Sequence, residues 1–106
     1  MSISLDNLEK SIADFKERIK EEPDFCQELC EYAELKLMAL KYCYYVLNIE
    51  IEKDYAYDLQ EKQWYIMGRA LGYLNEEDFS PCVGWNPEHP LAEEAIVLAK
   101  KWARVD

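Results

Sequence analysis

Proline falls at only two places in this chain, at Pro23 and in the cluster Pro81, Pro87 and Pro90. Proline lacks a backbone donor and clashes with the preceding helical turn, so both places should break helices. Elsewhere breakers are scarce, with three glycines in 106 residues. Long runs without breakers favour helices over a sandwich of short strands. Half of the residues are hydrophobic, enough for one real core and too many for a disordered chain. The expected fold is all-α, a compact bundle of about four helices in a single domain over residues 1–106.

Hydrophobic spacing places the helices. The first should run from Leu5 to Lys20 behind a Ser4 cap, with Leu8, Ile12, Phe15 and Ile19 continuing a seam from Leu5. A short turn at Pro23 would then make helices 1 and 2 an antiparallel hairpin. The second helix should start near Asp24 and reach at least Leu47. One face of it gathers Phe25, Leu29, Ala33, Leu37, Leu40, Tyr44 and Leu47. The opposite face begins acidic, with Asp24, Glu28, Glu31 and Glu34. It then turns apolar and aromatic at Met38, Tyr42, Tyr45 and Ile49. A helix apolar on both faces is either central in its bundle or part of an interface. Residues 46–52 alternate like a strand but have no second strand to pair with, so they read as the helix end or a connection. Helix 3 is expected from Asp54 to Leu74, with the acidic loop Asn75-Glu76-Glu77-Asp78 after it. Helix 4 is expected from Pro90 to Arg104, on a face of Ala92, Ala95, Ile96, Ala99 and Trp102.

The chain carries 22 acidic and 12 basic residues, a net charge of −10. Such an excess disfavours direct binding to nucleic acid, whose phosphates need Lys and Arg, and disfavours anionic membranes. It suits a partner with a basic surface. The excess is concentrated in the middle of the chain: residues 23–52 carry six acids against two bases, and residues 53–79 six against three. MSISLDNLEK lacks the basic-then-apolar pattern of a secretion signal, and no apolar run approaches the roughly 18 residues of a membrane span. A cytoplasmic chain with four reduced thiols is expected.

Few residues offer chemistry. Glu28-x-x-Glu31 and Glu31-x-x-Glu34 resemble the first metal-binding motif of the all-helical, magnesium-dependent nucleotide pyrophosphohydrolases. That resemblance implies a later E-x-x-D, which Glu50, Glu52, Asp54, Asp58 and Glu61 do not form. Cys26, Cys30, Cys82 and His89 could supply four zinc ligands, but no tight Cys-x-x-Cys turn brings them together. A Cys82–His89 pair lacks a third group and a Gly-rich oxyanion turn. Trp64-x-x-Met67-Gly68-x-x-Leu71 echoes a tetratricopeptide helix without a second copy, so it reads as packing, with Gly68 permitting a close approach.

The expectation is therefore a non-enzymatic, cofactor-free protein-binding module. Its partner would be a basic protein, most simply one that binds nucleic acid. Presenting carboxylates where phosphates would lie is the strategy of phage anti-defence inhibitors and of immunity proteins against toxic nucleases, an analogy of size and charge. The partner-binding residues expected are Asp24, Glu28, Glu31 and Glu34, flanked by Tyr42 and Tyr45, with a second patch at Glu76, Glu77 and Asp78. Tyr offers large contact area with a polar tip, which suits interfaces. A homodimer through the aromatic half of helix 2 is compatible with this. The alternative is a magnesium-dependent nucleotide pyrophosphohydrolase with an incomplete carboxylate motif.

Overall fold

A computed structural model describes residues 5–22, 24, 27–51, 61–77 and 79–105. The expected cap Ser4, the turn residue Pro23, Phe25, Cys26, residues 52–60 and Asp78 lie outside the described residues, as do the side chains of Leu5, Asp6 and Glu61. Four helices occur among the described residues: α1 (Leu5–Glu21), α2 (Gln27–Tyr45), α3 (Glu61–Ala70) and α4 (Ala92–Ala103). The fold is all-helical, with one isolated antiparallel bridge between Leu74 and Pro81.

The seam expected on α1 is the face it buries. Leu8 and Ile12 are buried, and Phe15 and Ile19 are half-buried. Its chief partner is α3 rather than α2. The hairpin of helices 1 and 2 is thus not among the close helix pairings of the described residues. Buried Arg69 of α3 reinforces the α1–α3 contact, donating to Glu9 of α1 at 3.0 Å.

Helix α2 is the central element, covered on two sides. Ala33 and Leu37 pack with Trp64, Met67 and Leu74 from α3 and the segment after it. Ala39 and Cys43 pack with Ile51 and with Ala99 of α4, and Met38 packs with Ala92 and Ala95. The α2–α4 side is built from small residues: Ala39, Cys43, Ala95 and Ala99 have no exposed surface. Small side chains let helix axes approach closely, so many dispersion contacts form per residue. Burial raises the Cys43 thiol to about pKa 11, and its Sγ donates to the Ala99 carbonyl at 3.5 Å. The broad face drawn from Phe25 to Leu47 is therefore incomplete where it is described: Met38, assigned to the opposite face, is 3% exposed, whereas Leu29 is 43% exposed.

Helix ends differ from expectation for local reasons. Helix α3 stops at Ala70, four residues before Leu74. Gly72 takes φ +84°, the Gly72 N–H donates to the Arg69 carbonyl, and the Tyr73 N–H donates to that of Gly68. This is a Schellman closure, which needs a residue at ease in the left-handed region. Helix α2 stops at Tyr45, two residues short of Leu47. Asn48 turns left-handed, and the Ile49 N–H closes onto the Cys43 carbonyl. Residues 46–51 form a connection, and no strand forms there.

Gly68 makes the close approach its sequence context suggested. A methyl group on it would meet Leu74 Cδ1 and Cγ well inside contact distance. Gly68→Ala should therefore lower stability by about 1–3 kcal/mol, the cost of overpacking outweighing the helix propensity gained. Chemical denaturation followed by far-UV circular dichroism checks this. An unchanged midpoint would mean that Leu74 moves aside freely.

Candidate functional site

The acidic face of α2 divides into two parts with different fates. Asp24, Glu28 and Glu31 are exposed, Asp24 in the turn before the helix and Glu28 in its first turn. Glu28 suits that position, because a helix N-terminus favours an anion. Gln27 donates to Glu31 across one helical turn at 3.4 Å. Glu31 thus keeps most of its acceptor capacity toward solvent.

Glu34 turns inward instead. His89 Nε2 lies 2.7 Å from Glu34 Oε1, with both side chains only about a quarter exposed (26% and 24%). The other imidazole nitrogen, Nδ1, accepts the Leu91 N–H at 3.0 Å. An accepting Nδ1 carries no proton, so Nε2 holds the hydrogen and donates it to the carboxylate. Tyr73 donates its hydroxyl to the same carboxylate. Burial first, then the Glu34 charge and this hydrogen bond, push the Tyr73 phenol well above its usual range. Glu34 thereby joins three parts of the chain: α2, the segment after α3, and the entry to α4.

This arrangement is a structural clip. Both imidazole nitrogens are engaged, so His89 has no free lone pair with which to act as a base. Cys82 lies elsewhere, its Sγ donating to Asn75 Oδ1 at 3.4 Å. The structure does not assemble the Cys82–His89 pair. Glu34 Oε1 is occupied by His89 rather than turned to solvent beside Glu31. Glu50 is exposed, while Glu52, Asp54, Asp58 and the Glu61 side chain lie outside the described residues. Among the described residues no cluster of three or more His, Cys, Asp or Glu could hold a metal ion. Cys30 sits half-buried against the α2–α3 core.

The two flanking tyrosines also serve the interior. Tyr42 is half-buried and meets Trp85 edge-on, with ring centroids 4.9 Å apart. Tyr45 donates its hydroxyl to the Pro81 carbonyl while keeping part of its ring at the surface. Together they hold the proline-rich segment against the second half of α2. That segment is further ordered by the Asn75 N–H to the Ser80 carbonyl at 2.9 Å and the Cys82 N–H to the Tyr73 carbonyl at 2.8 Å. The acidic loop is therefore partly anchored. Arg69 donates to the Glu76 carbonyl at 3.5 Å and lies 3.6 Å from its carboxylate. The Glu76 side chain remains 85% exposed, Glu77 is exposed, and Asp78 lies outside the described residues.

Sequence reasoning missed five participants. Trp85 and Tyr73 contribute through contacts distant in sequence, which spacing does not reveal. Arg69 looked like one more surface charge within α3. Leu29 and Tyr32 were missed as surface residues: they are 43% and 41% exposed beside Glu28 and Glu31. The exposed surface at the start of α2 is therefore acidic and apolar together.

No family model, curated protein or solved structure matches the chain. No helix among the described residues is long and apolar enough to cross a membrane.

The clip leads to a quantitative expectation. Glu34→Ala leaves the Tyr73 hydroxyl and His89 Nε2–H without their acceptor, and should cost about 1–3 kcal/mol. His89→Ala should cost less, and the double variant less than the sum, with a coupling of about 1 kcal/mol. Denaturation midpoints of the four proteins in this cycle measure it. Strict additivity would remove the clip.

Proposed function

We propose that this chain is a non-enzymatic binding module that docks on a basic protein through the acidic surface at the start of α2. In this reading it covers a surface that otherwise binds nucleic acid, as an inhibitor of the anti-defence or immunity type would. The supporting observation is the division of the α2 acids. Asp24, Glu28 and Glu31 stay exposed, while the fold consumes Glu34 internally. The docking set is therefore narrower than the sequence suggested: Asp24, Glu28 and Glu31, with Glu76 and Glu77 as a second patch. Tyr42 and Tyr45 hold the proline-rich segment instead, and of the two Tyr45 keeps the exposure with which a side chain can touch a partner.

Charge separation supports the reading. Carboxylates held on a rigid helix keep a fixed spacing without paying the ordering entropy that a disordered acidic tail would lose on binding. Their attraction for a basic surface raises the association rate and falls with ionic strength. The clip engages the Glu34 of Glu31-x-x-Glu34, and the sequence offers no later E-x-x-D among Glu50, Glu52, Asp54, Asp58 and Glu61 to complete the hydrolase alternative.

The experiment is affinity capture from extracts of the cell that encodes the chain, comparing the natural sequence with an Asp24→Lys, Glu28→Lys, Glu31→Lys triple variant. These residues are exposed, so the variant should fold, which circular dichroism checks. The natural chain should retain a basic protein that elutes as salt rises and that loses nucleic-acid binding in the complex. Retention unchanged by the triple reversal would overturn the reading.

A further inference from the structure

Beside the α2 acids lies an open groove of about 300 Å³ between α1, the start of α2 and α3. Its walls include Phe15, Leu29, Ile66 and Met67, with Asp14 and Arg18 along the α1 side. Leu29 is the shared element: it lines the groove and stands next to Glu28 on the acidic surface. A Leu exposed at 43% that shares the groove lining with half-buried Phe15 and Ile66 leaves an apolar surface open to water. Met67 adds a flexible, polarisable wall of the kind that adapts to different apolar ligands.

The charged residues of the lining itself, Asp14 and Arg18, balance, and the acidic excess lies in the α1 and α2 segments that flank the groove. Residues 11–31, which contain its α1 and α2 walls, hold seven carboxylates (Asp14, Glu17, Glu21, Glu22, Asp24, Glu28, Glu31) against Lys16, Arg18 and Lys20, a local net charge of −4. Every one of these seven acids is exposed. Arg18 is the only cation among the lining residues, and Lys62 stands exposed at the start of α3. An apolar slot flanked by exposed carboxylates of α1 and the start of α2 complements a helix with one apolar stripe and a basic opposite face. A purely cationic segment would use the rim and leave the slot unfilled. A purely apolar one would find the rim unfavourable to approach.

We infer that the groove receives a basic amphipathic helix of the partner protein, seating one or two apolar anchors among Phe15, Leu29, Ile66 and Met67 while its Lys or Arg residues meet Asp14, Glu28 and Glu31. This rests on the docking reading above and specifies which kind of basic partner it serves. The volume suits one or two side chains, so the anchors fix register and the charges set the approach. Anchors of this kind carry most of the affinity in helix-in-groove recognition.

The test uses three defined probes: a Leu/Lys peptide with its leucines at i, i+3, i+4 and i+7, a scrambled peptide of the same composition, and an oligolysine of equal length. Fluorescence anisotropy titrates each against the natural chain, Leu29→Ser, Asp14→Lys and Glu28→Lys/Glu31→Lys. Thermal melts confirm that each variant is folded. The amphipathic peptide should bind at least tenfold more tightly than the scramble. It should gain helicity on binding, shift the amide resonances of Leu29 and Met67, and weaken at least fivefold with Leu29→Ser. Asp14→Lys keeps the groove's apolar walls and should weaken it too. If all three probes bind alike, lose affinity in Glu28→Lys/Glu31→Lys and ignore Leu29→Ser, the groove is overturned while the acidic docking reading stands. Binding that ignores both salt and the charge reversals overturns the two together.

Discussion

Where α2 meets α4, the side chains on both sides are small and fully enclosed: Ala39 and Cys43 against Ala95 and Ala99. That contact draws the two helices together without large side chains holding them apart. It makes α2 the axis of the molecule, with α4 on one side and α3 on the other. Because α4 occupies the middle and end of α2, the beginning of α2 is the part left to present its side chains to solvent. The acidic surface is a consequence of that arrangement. Along the middle of α2 Met38, Ala39 and Cys43 are buried, whereas Leu29 and Tyr32 near its start stay exposed.

The proline-rich segment between α3 and α4 completes the division. It could have been a loose connection, and the fold instead fastens it at three points. Tyr45 holds Pro81, Tyr42 holds Trp85, and Glu34 holds His89. Each fastening uses a polar or aromatic group of α2 that would otherwise face solvent. The aromatic half of α2, which read as a candidate dimer interface, is thereby covered to a large extent by the chain's own segment. Met38 makes the same point in apolar terms, being enclosed by Ala92 and Ala95.

Much of this was legible in the sequence, and what was not follows a pattern. The helical class, the approximate positions of the elements, the α1 seam through Leu8 and Ile12, and the close approach at Gly68 all depend on local spacing or on one residue's size. Pairing was less accessible. The pairing of α1 with α3, which Arg69 reinforces by reaching Glu9 sixty residues away, is a long-range contact that periodicity does not reveal. The fates of Glu31 and Glu34 differ for the same reason. They sit one turn apart with identical side chains, and only the position of His89 in space decides which one is enclosed. Helix ends failed where the stop signal was conformational: Gly72 and Asn48 close α3 and α2 by adopting left-handed backbone, a role that their neighbours in sequence do not announce. Leu29 fits the core-facing period yet lies at the rim of an open groove, because burial depends on what stands opposite.

The account that emerges treats the fold as a device for separating two kinds of carboxylate. One kind is enclosed by His89 and Tyr73, and the other stays at the surface, where the proposed docking would use it. Carbodiimide crosslinking of the chain to its captured partner, read by mass spectrometry, examines this separation residue by residue. The account predicts links from Asp24, Glu28 and Glu31 to lysines of the partner, and none from Glu34. Links confined to Glu93 and Glu94 on α4, or links formed readily by Glu34, would contradict it.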